Sequence, residues 1–165
     1  MITVNFCRTM ARYNRWQNRS LMSAADTLSS EARNLDRGAF FGTIPATFNH
    51  LYWDDALWLQ RFAGNERPEE SLEVSLAEPE DWEAFKALRV DRDVEIESWA
   101  ASLQDSDLEG LVAWYPAGGD VRIEKPRALC IMHLFNHQTH HRGQIHAMLT
   151  AAGAEPEPTD LPMLA

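Results

Sequence analysis

Apolar residues recur every three or four positions over four long stretches of the chain, which is the spacing of an amphipathic α-helix. The four predicted helices span residues 4–28, 45–62, 81–103 and 126–151. Pro45 suits the first turn of a helix, and Gly64 and Gly153 suit the positions just beyond helix ends. Four long helices joined by short or medium links predict an all-α protein built as a four-helix bundle.

Three of the predicted helices carry apolar stripes that we expect to face the core. In the first helix the stripe comprises Phe6, Met10, Tyr13, Leu21, Ala24 and Leu28. In the second it comprises Phe48, Leu51, Trp58, Leu59 and Phe62. In the third it comprises Trp82, Phe85, Leu88, Arg92, Ile96, Trp99 and Leu103. Asp55 interrupts the second stripe, and a lone buried charge in that place requires a partner.

The segments outside the helices differ in character. Residues 65–80 are acidic and contain proline, which predicts a surface loop. Two short strand-prone runs, 112–115 and 121–124, flank a Pro-Ala-Gly-Gly-Asp turn and predict a small β-hairpin between the third and fourth helices. Residues 154–165 form a proline-rich tail that we do not expect to fold alone. The expected organisation is one helical domain over residues 1–153, followed by the tail.

The charge and the cysteine content exclude several classes of protein. The 165 residues include 15 Lys and Arg against 25 Asp and Glu, so the formal net charge is −10. That charge repels nucleic-acid phosphates and anionic lipid surfaces, and no apolar run approaches the roughly 18 residues needed to cross a bilayer. Cys7 and Cys130 are too few for a disulfide framework, and the N-terminus lacks the apolar run of a signal peptide. We therefore predict a cytoplasmic protein that binds neither nucleic acid nor membranes.

Histidines crowd together in the fourth predicted helix. Residues 136–146 hold four of the six histidines in the chain. At 100° per residue His137 and His141 lie on the inward face, whereas His140 lies at its margin and His146 on the solvent side. The i, i+4 spacing of His137 and His141 lets both imidazoles reach one metal ion.

The natural third ligand is His50, in the second predicted helix beside its apolar stripe. Three imidazoles suit zinc, nickel, copper or ferrous iron and leave coordination positions free, as in catalytic sites. From the spacing alone, the alternative is that these are hydrogen-bonded core histidines. We expect His133, one turn before His137, to be a supporting partner or a core residue rather than a ligand, because three successive turns span about 12 Å.

Four other residues near these histidines allow either a structural or a functional interpretation. Asp55 forms a structural ion pair with an arginine, for which the candidates are Arg12, Arg15 and Arg142. Alternatively, Asp55 or Asp54 accepts a hydrogen bond that orients a ligating imidazole. Gln144, on the same face as His137, contacts bound water or is a core amide. Cys130 lies about 10 Å from His137 along the helix and is a packed thiol rather than a ligand.

The segments TFNHLYWDDALWL and NHQTHHRGQIHAMLTAAG resemble those of the DinB family of small helical-bundle proteins. The HxxxHRGQ string, paired with a histidine on an upstream helix, carries the likeness, which extends from the first helix to Gly153. The resemblance implies a four-helix bundle, a homodimer and a divalent ion held by three histidines. These ligands fall on His50, His137 and His141 of this chain.

The resemblance also implies a class of chemistry. Related bundles include transferases and isomerases that use the low-molecular-weight thiols glutathione, mycothiol or bacillithiol. An ion, first zinc or nickel and otherwise iron or manganese, would bind the thiol sulfur and lower its pKa, and the thiolate would attack a small electrophilic substrate. Two alternatives stay open. One is a metal-dependent hydrolase, and the other is a non-enzymatic dimeric stress protein in which a structural ion ties two helices together.

Overall fold

Five α-helices and one β-hairpin make up the described part of the chain, which is residues 1–68 and 81–164 of a computed structural model. The helices are α1 (Val4–Asp26), α2 (Ser30–Arg33), α3 (Ile44–Phe62), α4 (Trp82–Ser102) and α5 (Arg127–Ala151). The strands are β1 (Leu111–Trp114) and β2 (Ile123–Pro126), and short 3₁₀ helices cover Asp105–Leu108 and Leu161–Met163. The four long helices and the hairpin confirm the predicted all-α fold. The one-turn helix α2 is an element that the periodicity did not predict.

Polar side chains fix where the helices begin. The Thr43 hydroxyl accepts a hydrogen bond from the Ala46 N–H at 3.2 Å, and Pro45 lies in the first turn of α3. The Asp81 carboxylate accepts from the Glu83 N–H at 2.9 Å at the start of α4. Such caps stabilise a helix by about 1 kcal/mol, because they satisfy amide groups that have no partner within the helix. The cap at Thr43 thereby fixes the start of the helix that carries His50.

The long helices form a bundle in which α1 and α3 each pack against both α4 and α5. Two apolar clusters fill its interior. The cluster near the hairpin includes Cys7, Trp58, Phe62, Ile96 and Leu134, and the other includes Leu21, Phe48, Phe85, Ile145 and Leu149. Between them along the helices lie the buried polar residues Asn14, Gln17, Asn18, Asp55, Arg89, Asp93, Gln138 and Arg142. The middle of the bundle is therefore polar.

The predicted stripe of α3 is buried as expected, since Phe48, Leu51, Trp58, Leu59 and Phe62 are all at most 9% exposed. The stripes of α1 and α4 were wrong in part. Phe6 is 36% and Leu88 is 49% exposed, whereas Cys7 and Arg89 are fully buried. The predicted stripe of this helix left Arg89 outside, but Arg89 is paired inside the bundle. The inward face of α4 therefore includes Arg89 and excludes Leu88.

The hairpin has the predicted place in the chain with slightly different bounds. Strand β1 pairs antiparallel with β2, so that Leu111 faces Pro126 and Trp114 faces Ile123. The Tyr115 N–H donates to the Glu66 carbonyl at 2.9 Å, which ties the hairpin to the chain after α3. Of the predicted loop 65–80, residues 65–68 contain neither helix nor strand, and residues 69–80 lie outside the described part.

The tail after α5 lies along α1. Ala154 is buried, and the Tyr13 hydroxyl donates to the Thr159 carbonyl at 2.6 Å. The Gln17 side chain donates to the Pro158 carbonyl at 3.1 Å, which adds a second contact. These contacts cover one side of α1. No helix in the described ranges has both the length and the apolar character to span a bilayer.

Candidate metal centre

Three histidines from two helices converge at the surface of the bundle, and we call them the histidine cluster. His50 lies in the second turn of α3, while His137 and His141 lie one turn apart on α5. The Nε2 atom of His137 is 3.3 Å from Nε2 of His50 and 3.0 Å from Nε2 of His141. One candidate ligand atom from each residue lies within 4.8 Å of the other two. The structure thus brings together the three residues that the sequence singled out.

The spacing of these nitrogens fits a metal ion. Nitrogens bound tetrahedrally to zinc at about 2.05 Å lie about 3.3 Å from one another, which is close to the observed separations. A neutral imidazole carries one N–H and one lone pair, so three Nε2 atoms that face each other cannot all be satisfied by one another. A divalent cation between them would accept all three lone pairs. Imidazole donors suit zinc, nickel, copper and iron.

The far sides of the rings are held by polar side chains. Nδ1 of His141 lies 2.8 Å from Oε1 of Gln144. Nδ1 of His137 lies 3.0 Å from Oδ2 of Asp54, although the two atoms are not aligned as a regular hydrogen bond. Nδ1 of His50 is buried and has no hydrogen-bond partner among the described residues. Acceptors at Nδ1 fix the tautomer that leaves Nε2 free to bind an ion, which is the common arrangement around metal-bound histidines.

The electrostatics of the cluster favour a cation. Burial lowers the pKa of His50 to about 4, although the Asp54 carboxylate opposes the shift. Burial also lowers the pKa of His141. Burial alone would raise the pKa of Asp54. The contact with His137 and the proximity of His50 have the larger effect, so the pKa of Asp54 lies below its ordinary value. Near neutral pH the site therefore combines two neutral imidazoles with an ionised carboxylate, as metal binding requires.

An aromatic side chain that the sequence reasoning missed forms one wall of the site. Phe41 stacks on the His50 ring with centroids 4.2 Å apart and lies 5.3 Å from the His141 ring. It belongs to a turn before α3 in which Gly38 and Gly42 have φ of +72° and +74°, a region that favours glycine. Two consecutive phenylalanines between glycines in a polar loop were the available signal. Helical periodicity could not assign them a direction.

The remaining histidines lie outside the cluster. The ring of His133 is exposed and packs between Trp58, at 5.1 Å, and His137, at 5.5 Å. His140 is exposed and lies against Gln144. His146, which we expected on the solvent side, is half-buried. His133 is thus a neighbour of the cluster rather than part of the group of three.

Asp55 points into the bundle and away from the histidines. Its Oδ2 atom accepts a hydrogen bond from Arg89 at 2.6 Å, and Arg89 also donates to Asp93 at 2.8 Å. The prediction that this arginine would be Arg12, Arg15 or Arg142 was wrong, because the partner comes from α4. We call Asp55, Arg89 and Asp93 the charge cluster, and all three are at most 3% exposed. The orienting role that we allowed to either aspartate is open to Asp54 alone.

The charge cluster is extended by neutral amides. Asn18 donates to Asp93 at 2.9 Å, and Gln138 donates to the second oxygen of Asp55. Arg142 in turn donates to the side-chain oxygen of Gln138 at 3.0 Å. The network therefore crosses the bundle from α1 through α4 and α3 to α5. It satisfies the carboxylates that burial would otherwise strongly destabilise.

Comparison with known proteins gives three concordant findings. The model of the DinB family matches residues 1–165. Protein DinB of Bacillus subtilis (strain 168) is 27% identical over 164 residues, covering 94% of this chain and 91% of that protein. The crystal structure of a DinB-like protein from Bacillus cereus superposes with a TM-score of 0.62 at 19% identity, covering 87% of this chain and 90% of that one. The structural likeness, at this identity, concerns the fold alone.

Proposed function

The chain belongs to the DinB family, and we propose that it is a divalent-metal protein with His50, His137 and His141 as ligands. The observation that carries the proposal is the convergence of three Nε2 atoms with separations of 3.0 and 3.3 Å. Zinc and nickel are the ions we expect first, and iron or manganese next. We also propose a homodimeric assembly, from the family resemblance, and a cytoplasmic location, from the low cysteine content.

The surroundings of the histidine cluster favour a substrate-binding metal site over a closed structural one. Structural zinc sites have four protein ligands, whereas this group offers three and leaves at least one position free. His50 and His137 are only half-buried, so a small molecule can approach them from solvent. Both features are expected of a site that binds substrate.

We propose further that the activity is a thiol-dependent transfer. The ion, when bound, would supply the charge that stabilises the thiolate of a low-molecular-weight thiol near neutral pH. Asp54 and Gln144 contact the Nδ1 atoms of His137 and His141, and Phe41 stacks on the His50 ring.

The cysteines of the chain support an external thiol. Both are buried, and burial raises the pKa of Cys7 to about 11 and also raises that of Cys130. Neither forms a thiolate readily, so neither is a suitable nucleophile. A sulfur nucleophile at this site would therefore have to come from a second molecule. Its bond to the electrophile would form as the leaving group departs.

A metal-dependent hydrolase fits the geometry less well. That reaction needs a general base that can reach a water molecule at the site. The two aspartates near the cluster are both engaged, Asp54 with His137 and Asp55 with Arg89. We therefore place hydrolysis below thiol transfer.

The first experiment measures metal content by elemental analysis of freshly purified and of reconstituted protein. We expect about one divalent ion per chain and its loss in His137→Ala. The matched control is His146→Ala, which removes a histidine from the other side of α5 and should keep the ion. A metal-free wild type after reconstitution, with all three histidines intact, would refute the proposal.

The second experiment tests the thiol step separately. The cobalt-substituted protein is titrated with glutathione, mycothiol and bacillithiol, and a sulfur-to-cobalt charge-transfer band is expected with one of them. Absence of the band with all three, together with no turnover of a panel of electrophiles, would contradict the transferase while leaving metal binding intact. A large drop in melting temperature on EDTA treatment would then favour the structural role.

A further inference from the structure

A cavity lies on the opposite side of α5 from the histidine cluster. It has a volume of about 330 Å³ and is enclosed by α1, α5 and the tail. The residues of its wall that matter here are Tyr13, Leu21, Arg142, Gly143, His146 and Thr159. Positions 142, 143 and 146 are rotated by roughly 140° to 240° from His137 at 100° per residue, so the two sites do not share a wall.

The cavity contains a buried cation that contacts no carboxylate of the described residues. Arg142 is 5% exposed and donates to the neutral oxygens of Gln138 at 3.0 Å and Thr139 at 3.3 Å. Within residues 1–68 and 81–164, no carboxylate lies within ion-pair distance of it, since Asp55 and Asp93 both bind Arg89 instead. A buried charge with only neutral partners is costly, so an anion beside it would be stabilising.

A glycine keeps the wall beside Arg142 open. Gly143 lies in the interior of α5, where glycine is less favourable than alanine, and its φ is not positive. A Cβ atom at this position would meet nothing within 4 Å, so packing among the described residues does not require glycine. The missing side chain leaves room at the cavity.

The other walls indicate the chemistry of an occupant. Nδ1 of His146 is buried and has no hydrogen-bond partner among the described residues. The Tyr13 hydroxyl is already engaged by the Thr159 carbonyl at 2.6 Å, so Tyr13 contributes its ring, and Leu21 adds apolar surface. The cavity is thus lined by one guanidinium, one imidazole ring and apolar side chains.

We propose that this cavity binds a small carboxylate with an apolar body. The carboxylate accepts hydrogen bonds from Arg142, the apolar part packs against Leu21 and the Tyr13 ring, and His146 contributes one further hydrogen bond. The site is independent of the metal ion and of the reaction proposed above. Its failure therefore leaves that reaction untouched.

The test is calorimetric titration of the full chain at constant ionic strength. The probes are acetate, butyrate and benzoate, with butanol and benzyl alcohol as their uncharged counterparts. We expect butyrate or benzoate to bind one per chain and at least tenfold more tightly than its alcohol. Gly143→Leu, which fills the cavity, should weaken that binding at least tenfold. Thr150→Leu, at an exposed position of α5 outside the cavity wall, should not change it.

Arg142→Gln removes the positive charge from the cavity wall, so the acid and its alcohol should bind with equal affinity. If that variant fails to fold, the comparison of Gly143→Leu with Thr150→Leu still decides. Equal affinity for acid and alcohol in the wild type, or no binding of any of the three acids, overturns the proposal. So does carboxylate binding that survives Gly143→Leu and disappears in His137→Ala, because that binding belongs to the histidine cluster.

Discussion

The histidine cluster and the charge cluster share helix α3, and adjacent residues of α5 contact both of them, yet the two clusters are opposite in character. Asp54 faces the histidines and Asp55 faces Arg89. On α5, His137 belongs to the first group and Gln138 contacts the second. A step of one residue rotates a side chain by 100°, so adjacent positions serve different surroundings. Helices α3 and α5 can therefore hold the histidine cluster on one face and contact the interior charge cluster on another.

The difference between the clusters is whether their members satisfy one another. In the charge cluster, Arg89 donates to both carboxylates, and Gln138 donates to the second oxygen of Asp55, so both carboxylates are paired. In the histidine cluster, three Nε2 atoms face a common point without a donor for each acceptor. A buried network whose charges are paired contributes to the fold, whereas acceptors left without donors at a site that reaches solvent are suited to bind a ligand. The comparison predicts that mutations in the two clusters have separable effects.

The largest effect is expected from Arg89→Met. The substitution leaves Asp55 and Asp93 buried without a cation, which should lower the free energy of unfolding by about 3 to 5 kcal/mol. Urea denaturation measures it. The control is Arg15→Met, which breaks the exposed contact of Arg15 with Glu97 at 2.6 Å and should cost less than about 1 kcal/mol. Similar losses in the two variants would mean that the charge cluster is not what stabilises the interior.

The next effect concerns the histidine cluster and appears in metal affinity rather than stability. His141→Ala removes one of three ligands and should weaken metal binding by at least about 100-fold, or about 2.7 kcal/mol. The free energy of unfolding of the metal-free protein should change little by comparison, because within the described ranges the lost ring has one hydrogen bond outside the histidine cluster, to Gln144. Competition with a chelator measures the affinity. An unchanged affinity would show that the ion, if bound, has other ligands.

The adjacent aspartates give the sharpest separation of the two clusters. Asp54→Asn weakens the acceptor at Nδ1 of His137 and should lower metal affinity by about 10-fold or more without unfolding the protein. Asp55→Asn should instead lower the free energy of unfolding by about 1 to 3 kcal/mol and leave metal affinity unchanged. Both variants are measured by chelator competition and by urea denaturation. Crossed results, with Asp55→Asn weakening metal binding, would show that the clusters are coupled.

The histidine cluster could be predicted because its residues obey a periodicity. His137 and His141 are one turn apart, and His50 is the only histidine outside the fourth predicted helix. The fold followed from the same kind of pattern, since four apolar stretches with helical spacing predict four helices. Phe41 had no such period, because its direction is set by a turn with two glycines of positive φ.

The charge cluster could not be predicted from the same pattern. Arg89 and Asp93 look like ordinary surface charges on α4, and nothing along the chain marks them as partners of Asp55, which is 34 positions from Arg89. A hydrophobic pattern places charged residues outside because it considers each one alone. Burial of charges depends on partners from other helices, and these become known only when the helices are packed. The cavity beside Gly143 was missed for the same reason.

The smallest effect is a difference in pH dependence. Burial raises the pKa of Asp55 from its ordinary 3.8 to about 6. The negative charge of Asp93 acts in the same direction, and the positive charge of Arg89 opposes the shift. The folded protein then binds this proton more tightly than the unfolded chain does, so ionisation of Asp55 should lower the free energy of unfolding as the pH rises from about 4 to 6. The wild type should therefore exceed Asp55→Asn in stability by about 1 kcal/mol more at pH 4.5 than at pH 5.5. Urea denaturation of both proteins at four pH values in this range measures the difference. An advantage of the wild type that grows with pH instead would mean that Arg89 outweighs burial and that Asp55 is a stabilising carboxylate at neutral pH.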